Sequence, residues 1–430
     1  MTIQEIHDKF LICDGICTDT RNIVKNALFF ALKGEAFDGN KYAQYALENG
    51  CRYAIIDNAD YKTDENYILV QNVLETLQNL ASYHRKYLHL PIIAITGTNG
   101  KTTTKELVNA VLSKKYNALA TKGNLNNHIG VPLTLLSMTS KTEIGIVEMG
   151  ANHNGEIKTL CEIANPDYGL ITNIGKAHIE GFGSFEGVIK TKKELYDNIS
   201  ANNKTTFIRY DNDILKEIAP QKNIVKYGNN PDYDVSCTKF SAEPFLEVEW
   251  KTANIPTQLS KTNLIGIYNY ENVLAAITIG LHFNVSINDI NQALESYTPS
   301  NNRSQIKKTK NNTLILDAYN ANPTSMKASL DNLFQISHGN KTVIIGDMLE
   351  LGNVSEQEHQ QIIKQLEKYD FNKVILVGPI FQKVNTVEKF INFSSTSVLI
   401  EWIQKNPIKN ALILIKASRG IKLEGIAEYL

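Results

Sequence analysis

Short continuous apolar runs alternate with amphipathic stretches along most of the chain. In residues 1–88, runs such as Ala27–Leu32 and Tyr53–Asp57 are separated by polar turns, the pattern of a small α/β domain. Val73–Leu88 carries Leu74, Leu77, Leu80 and Ala81 on one helical face, and Pro91 closes that segment. Pro91–Thr96 is an apolar run leading into a glycine loop. Lys101–Lys114 follows with Leu107, Val111 and Leu112 at helical spacing. Glu143–Glu148 and Tyr168–Thr172 are further β-type runs, each ending in polar residues. Strands alternating with helices at this pace predict a parallel sheet covered on both faces, with sites at the carboxyl ends of its strands. Residues 235–266 read as antiparallel or irregular structure, and Tyr268–Leu281 as an apolar helix.

A second α/β set begins near residue 303. Thr313–Leu316, Thr342–Ile345, Lys373–Val377 and Ala411–Ile415 are its predicted strands. Asn322-Pro323 reads as a helix start with proline at the first helical position, and Ser355–Glu358 as a capping box before another helix. No repeat, low-complexity tract or long linker interrupts the chain. At 430 residues it is too long for one ordinary core, and three domains are expected at 1–88, 89–300 and 301–430.

The formal net charge is −1, so the whole chain has no electrostatic bias toward nucleic acid or an anionic membrane, and neither is an expected partner. The N-terminus has acidic residues early and no apolar core, unlike a secretory signal. No apolar run approaches the roughly 20 residues of a membrane span. The odd set of Cys13, Cys17, Cys51, Cys161 and Cys237 contains no CxxC unit, which favours reduced thiols over a disulfide or zinc framework. A cytoplasmic, monomeric protein acting on soluble substrates is expected.

The order strand, Gly97-Thr98-Asn99-Gly100-Lys101-Thr102-Thr103, helix suits nucleotide phosphates. Glycines let backbone N–H groups converge on phosphate oxygens, and the helix N-terminus adds positive potential. Lys101 would reach the terminal phosphates, and the Thr102 hydroxyl would coordinate Mg²⁺. Ile95 stands where the common GxxxxGK[ST] loop has its first glycine, leaving GxxGKT.

The segment GTNGKTT resembles the ATP loop of the Mur ligase family, which adds amino acids to the bacterial peptidoglycan precursor. The resemblance implies an α/β chain of three domains: a small N-terminal α/β domain, a central P-loop ATPase-like parallel-sheet domain and a C-terminal Rossmann-like α/β domain. Downstream motifs follow in the family's order. Glu148 ends the strand EIGIVEMG; alone it would be a solvated cap, but beside a phosphate loop it supplies a hard oxygen ligand. The resemblance makes it a magnesium ligand, and makes His178, in NIGKAH, a ligand of a second magnesium. Lys192, among Lys190, Lys192 and Lys193, aligns with a lysine that the family carries as a CO₂-derived carbamate. Otherwise the three would read as a solvated helix face. With Lys101, Glu148, His178 and Lys192 form the implied catalytic set. Asn269 and Asn272 fit the asparagines that approach adenosine, although Tyr268 replaces the usual histidine. Arg303 fits the arginine that reaches the ATP phosphates. Asp317 and Asn320, in DAYNANPTSM, fit residues that orient the nucleotide.

Within the family, YNANPTSM, GDMLELG and KASR resemble the branch that joins D-alanyl-D-alanine to UDP-N-acetylmuramoyl-tripeptide; no DNPR-like motif of the diaminopimelate- or lysine-adding branch is present. Thr18, Asp19, Thr20, Arg21, Lys33, Gly34, Asp38 and Gly39 fit that branch's uridine-nucleotide site, with Asn40 in place of a histidine. Asn124, Asn126 and Asn127, in GNLNNHIGVPLTLL, are implied to meet the same substrate. Two rival readings remain: a folate ligase or another Mur step, and a P-loop NTPase whose hydrolysis drives motion or partner binding.

Overall fold

The computed structural model describes residues 1–300 and 302–430; residue 301, the expected first residue of the third domain, lies outside that description. Three main sheets organise the chain. The first is all parallel, in the order Ile16–Cys17, Leu28–Phe30, Tyr53–Ile56, Tyr67–Leu69. The second has nine strands. Its parallel part centres on Ile92–Thr96, flanked by Ile144–Glu148 and Tyr168–Ile171. Val235–Ala242, Leu246–Lys251 and Gln258–Lys261 extend that sheet as an antiparallel edge, as the sequence pattern predicts. The third has six strands and places Leu412–Lys416 between Thr313–Leu316 and Lys341–Gly346.

Apolar alternation explains why Ile92–Thr96 is the central strand. Ile92 and Ala94 point into one core and Ile93 and Ile95 into another, so both sheet faces are covered. Adjacent strands leave in different directions around this one, and the loop after it opens at a topological switch point, where α/β sheets bind ligands. Val73–Leu88 is helical over the predicted range and packs into the first of those cores.

Two expectations need correction. Ser355–Glu358 does not form a capping box: the 3₁₀ turn Gly352–Val354 runs straight into the helix, so Ser355 is its first residue and Val354 its uncapped neighbour. Glu358 is thereby released to bond elsewhere. The last domain also has more strands than its apolar runs predict. Gln305–Lys308 and Ile391–Phe393 add edge strands too short and polar to register as apolar runs.

The first domain is fastened to the second by Arg85, buried near the end of Val73–Leu88. Its guanidinium donates to the carbonyls of Ala164 and Asn165 and to Asp167, at 2.6 Å from the carboxylate. Asp167 also accepts from the backbone N–H of Ile92 at 3.0 Å, so one carboxylate fixes both the domain junction and the start of the central strand. Replacement Arg85→Met is expected to cost about 3 kcal/mol in urea unfolding, the low end for breaking a buried pair, because Lys204 still neutralises Asp167 at 2.6 Å. An unchanged unfolding midpoint would refute that role.

Candidate active site

The phosphate loop is held from behind by the turn after Tyr168–Ile171. The N–H of Thr98 donates to the Asn173 carbonyl at 2.9 Å and that of Asn99 to Asn173 Oδ1 at 3.0 Å, while Thr172 Oγ1 donates to the Asn99 carbonyl at 2.6 Å. Gly97 has φ +144°, and a Cβ there would lie 2.0 Å from Thr172 Oγ1. Gly100 has φ +78° and heads the helix Lys101–Leu112; its Cβ would strike Asn272 Oδ1 at 2.5 Å. Both positions therefore require glycine. Ile95, in place of the missing first glycine, is a buried core residue of the strand, and the loop is correspondingly tight. The first helical N–H groups have no carbonyl one turn back and remain available to an anion.

Lys101 folds back over the loop, its Nζ donating to the carbonyls of Gly97 at 2.7 Å and Thr98 at 3.1 Å. Burial, and secondarily the Arg303 charge, lower its pKa to about 8 against the opposing pull of Glu148. Glu148 is 1 % exposed at the end of its strand. Its two oxygens accept from Thr102 Oγ1 at 2.9 Å and Asn126 Nδ2 at 2.8 Å. Among the described residues this buried carboxylate has no ion-pair partner. A hydroxyl and an unneutralised carboxylate beside a phosphate loop form the hard oxygen set that Mg²⁺ prefers, so the residues fit that ion.

The remaining implied ligands stand differently. His178 has φ +50° and its Nδ1 pairs with Glu350 of the C-terminal domain at 2.7 Å; that contact lowers the Glu350 pKa. His178 lines the same cleft as Glu148. Among the described residues, no group of three or more His, Cys, Asp or Glu side chains is assembled for a metal. In the helix Phe185–Ala201, Lys190 is exposed and Lys193 pairs with Asp197, whereas Lys192 is 3 % exposed with its ammonium 5.7 Å from the Phe182 ring centroid. Burial, followed by the Lys101 charge, lowers the Lys192 pKa to about 7. Burial thus sets Lys192, the lysine that the resemblance picks, apart from its two neighbours.

Asn269 and Asn272 are buried and bonded to each other at 2.8 Å, and Asn272 Oδ1 accepts from Thr104 of the loop helix at 3.0 Å. They brace the loop from the far side, and both line the cleft. The cleft has a volume of about 850 Å³ and is also reached by Thr103, Arg303, Asp317 and Asn320. Asp317 is engaged by Lys416 Nζ at 2.6 Å and by Ser329 Oγ at 2.8 Å.

The implied uridine-site residues separate into two places. Thr18, Asp19, Thr20 and Arg21 follow Ile16–Cys17, while Lys33, Gly34, Asp38 and Gly39 follow Leu28–Phe30. These strands are parallel, so both groups stand at the carboxyl edge of the first sheet. Asp19 and Arg21 pair in solvent, whereas Lys33 pairs with Asp57 at 2.7 Å. Gly39 is required there, since a Cβ would lie 2.4 Å from the Leu32 carbonyl oxygen. Asn40 is fully buried and its amide bridges Asp38 and Asp57 at 2.8 and 2.9 Å, joining the loop after Leu28–Phe30 to the one after Tyr53–Ile56. Asn124, Asn126 and Asn127 instead line the phosphate-loop cleft, with Asn126 committed to Glu148.

Three family descriptions cover most of the chain: "Mur ligase family, catalytic domain" matches residues 13–85, "Mur ligase middle domain" 95–280, and "Mur ligase, glutamate ligase domain" 302–419. The chain belongs to the Mur ligase family. It is 34 % identical to the UDP-N-acetylmuramoyl-tripeptide–D-alanyl-D-alanine ligase of Bacillus subtilis, over 97 % of this chain and 93 % of that protein. Against the enzyme of the same name from Escherichia coli the identity is 30 %, covering 99 % and 95 %. A crystal structure of MurF from Acinetobacter baumannii superposes with a TM-score of 0.88 at 30 % identity, covering 99 % and 98 %. MurF ligase from Thermotoga maritima in complex with ADP gives 0.85 at 26 %, covering 97 % of each chain. The three-domain Mur ligase fold expected from the motifs is therefore the fold of this chain.

In this Mur ligase the contacts between the central and C-terminal domains were not readable in advance. Asn322 caps the helix Pro323–Gln335 and also donates to Asn99 Oδ1 of the phosphate loop at 2.8 Å. Lys176 pairs with Glu358 at 3.0 Å, using the carboxylate freed from the expected capping box. Within the C-terminal domain, buried Lys416 neutralises Asp317, another pairing between distant motifs. Each lies in a motif that the sequence did mark, but nothing local specified its partner. Substitution Gly97→Ala is expected to weaken ATP binding at least about 10-fold by calorimetry, since the new Cβ must displace Thr172 or the loop. Unaltered affinity would refute the tight-loop reading.

Proposed function

We propose that the chain is an ATP-dependent ligase that joins D-alanyl-D-alanine to UDP-N-acetylmuramoyl-tripeptide, completing a peptidoglycan pentapeptide precursor. The observation that carries this reading is the facing of two domains across one cleft, with Asn99 of the phosphate loop bonded to Asn322 of YNANP. The names of the relatives, and the same branch motifs in this chain, support the choice of substrates.

ATP binds with its phosphates at Gly97–Thr103, and Lys101 and Arg303 oppose their charge. The tripeptide's terminal carboxylate attacks the γ-phosphorus, forming an acyl phosphate and releasing ADP. The D-alanyl-D-alanine amine then attacks the acyl carbon; the amide bond forms, inorganic phosphate leaves and a proton is lost from the nitrogen. Thr102 and Glu148 would hold magnesium, which when bound spreads charge from the transferring phosphoryl group. His178 would join a second ion on leaving Glu350. Lys192 is the residue for a carbamate, because burial lowers its pKa to about 7, so a large share of the amine is neutral there, and a carbamate would turn a repelled cation into an anion. Asn269, Asn272, Asp317 and Asn320 position the nucleotide. The carboxyl edge of the first sheet takes the uridine nucleotide, Asn124 and Asn127 extend toward the peptide, and the C-terminal domain brings the dipeptide. Closure of the domains would exclude water from the acyl phosphate.

Among the described residues no helix is long and apolar enough to cross a membrane. We place the reaction in the cytoplasm, with a monomer as the working unit. Incubation with ATP, the UDP-linked tripeptide and D-alanyl-D-alanine should give the pentapeptide by mass spectrometry. ATP hydrolysis that proceeds equally without either acceptor would favour the NTPase reading and sink this one.

The carbamate has its own test. Protein equilibrated with ¹³C-bicarbonate should show a carbamate carbon signal that is absent from Lys192→Arg and retained in Lys193→Arg. With a pKa of about 7, the reactive neutral amine dominates above that pH and the ammonium below it. The signal, and ligase activity with it, should therefore fall as pH drops from 8 to about 6. A signal retained in Lys192→Arg would overturn the assignment.

A further inference from the structure

The junction between the central and C-terminal domains is pinned by a side chain for which the proposed chemistry has no use. Tyr268 lies in the 3₁₀ turn Ile267–Asn269, where the family usually has a histidine. Its ring packs across Gly266, where φ is +86° and a Cβ would lie 2.4 Å from ring Cε1. Its hydroxyl shares a 2.7 Å hydrogen bond with the hydroxyl of Ser304, across the junction.

Ser304 and Asn302 have φ of +50° and +55°, so Arg303 sits between two left-handed non-glycine residues. Such a backbone persists only where its surroundings over-determine it. Here the Ser304 N–H donates to Asp317 Oδ1 at 3.2 Å, and Asp317 is itself fixed by Ser329 and Lys416. Among the described residues, the Ser304 side chain has one hydrogen-bonding anchor, Tyr268. Beyond this strained base, the Arg303 guanidinium lies 3.8 Å from the Tyr319 ring centroid. Its Nε is buried without a hydrogen-bond partner among the described residues. Arg303 is therefore oriented at both ends, lines the cleft with Tyr268, and keeps an unused donor. A phenol at position 268 puts its oxygen at the far end of the ring, where it reaches Ser304.

We propose that Tyr268 is a positioning residue of this ligase: its hydroxyl, acting through Ser304, fixes the domain junction so that Arg303 is presented to the γ-phosphate of ATP. This deepens the ligase reading and rests on it for the direction of the arginine. ADP lacks the γ-phosphate, so the comparison of ADP with a non-hydrolysable ATP analogue isolates the effect.

In calorimetry on the full chain, Tyr268→Phe keeps the ring over Gly266 and should leave ADP affinity unchanged. Its affinity for the ATP analogue should fall roughly 10-fold, the worth of one hydrogen bond to a charged group. Ser304→Ala should reproduce that loss. In an Arg303→Ala background, Tyr268→Phe should have no further effect on analogue binding, because the two residues act in series. Equal losses for ADP and the analogue, losses additive with Arg303→Ala, or no loss at all would each overturn the proposal. Acceptor-dependent product formation by the unsubstituted protein is followed in the same preparation. Its absence counts against the ligase reading and leaves the nucleotide comparison intact.

Discussion

The seating of the Gly97–Gly100 loop on the Thr172–Asn173 turn is the constraint from which the rest of the site follows. Two backbone N–H groups and one carbonyl of the loop are tied to that turn, and the Cβ-free surface of Gly97 allows the approach. Once the loop is seated, the helix Lys101–Leu112 can start in only one place. That start puts Thr102 against Glu148 and turns the unpaired helical N–H groups into the cleft. Asp167 works at the other end of the same strand, where it sets the start of Ile92–Thr96 and clamps the first domain through Arg85.

A site built on one sheet would bind nucleotide but would leave an acyl phosphate open to water. The C-terminal domain addresses that problem. Asn322 meets the phosphate loop, Lys176 meets Glu358, and Glu350 occupies His178. These polar contacts are few and partly exposed, as suits an interface that must open for substrates and product. The His178–Glu350 pair belongs to this arrangement of the domains, and in the proposed function the histidine must leave Glu350 before it can meet a metal.

Local chemistry was the most legible part of the sequence. The phosphate loop, Glu148 and the strand before each announce themselves because adjacent residues carry the signal. The parallel sheets were legible for the same reason, since each strand is a self-contained apolar run. Contacts across domains were not. Asn99 and Asn322, or Tyr268 and Ser304, are polar residues in turns until the fold brings them together. The resemblance picks Lys192 from Lys190 and Lys193 by alignment, but the physical distinction is burial, a property of the helix's packing and not of its charge pattern. Ser355–Glu358 shows the converse: a correct helix with a false cap, because the preceding turn at Gly352–Val354 had already entered helical geometry. The short edge strands escaped notice because three or four half-exposed residues need no apolar run.

The central claim is that this cleft makes an acyl phosphate from the substrate carboxylate. Tripeptide substrate labelled with ¹⁸O in its terminal carboxylate tests it directly. If the carboxylate oxygen attacks the γ-phosphorus, the inorganic phosphate released on ligation must carry one ¹⁸O atom from the substrate. Phosphate free of substrate-derived ¹⁸O, formed while the pentapeptide accumulates, would contradict the account.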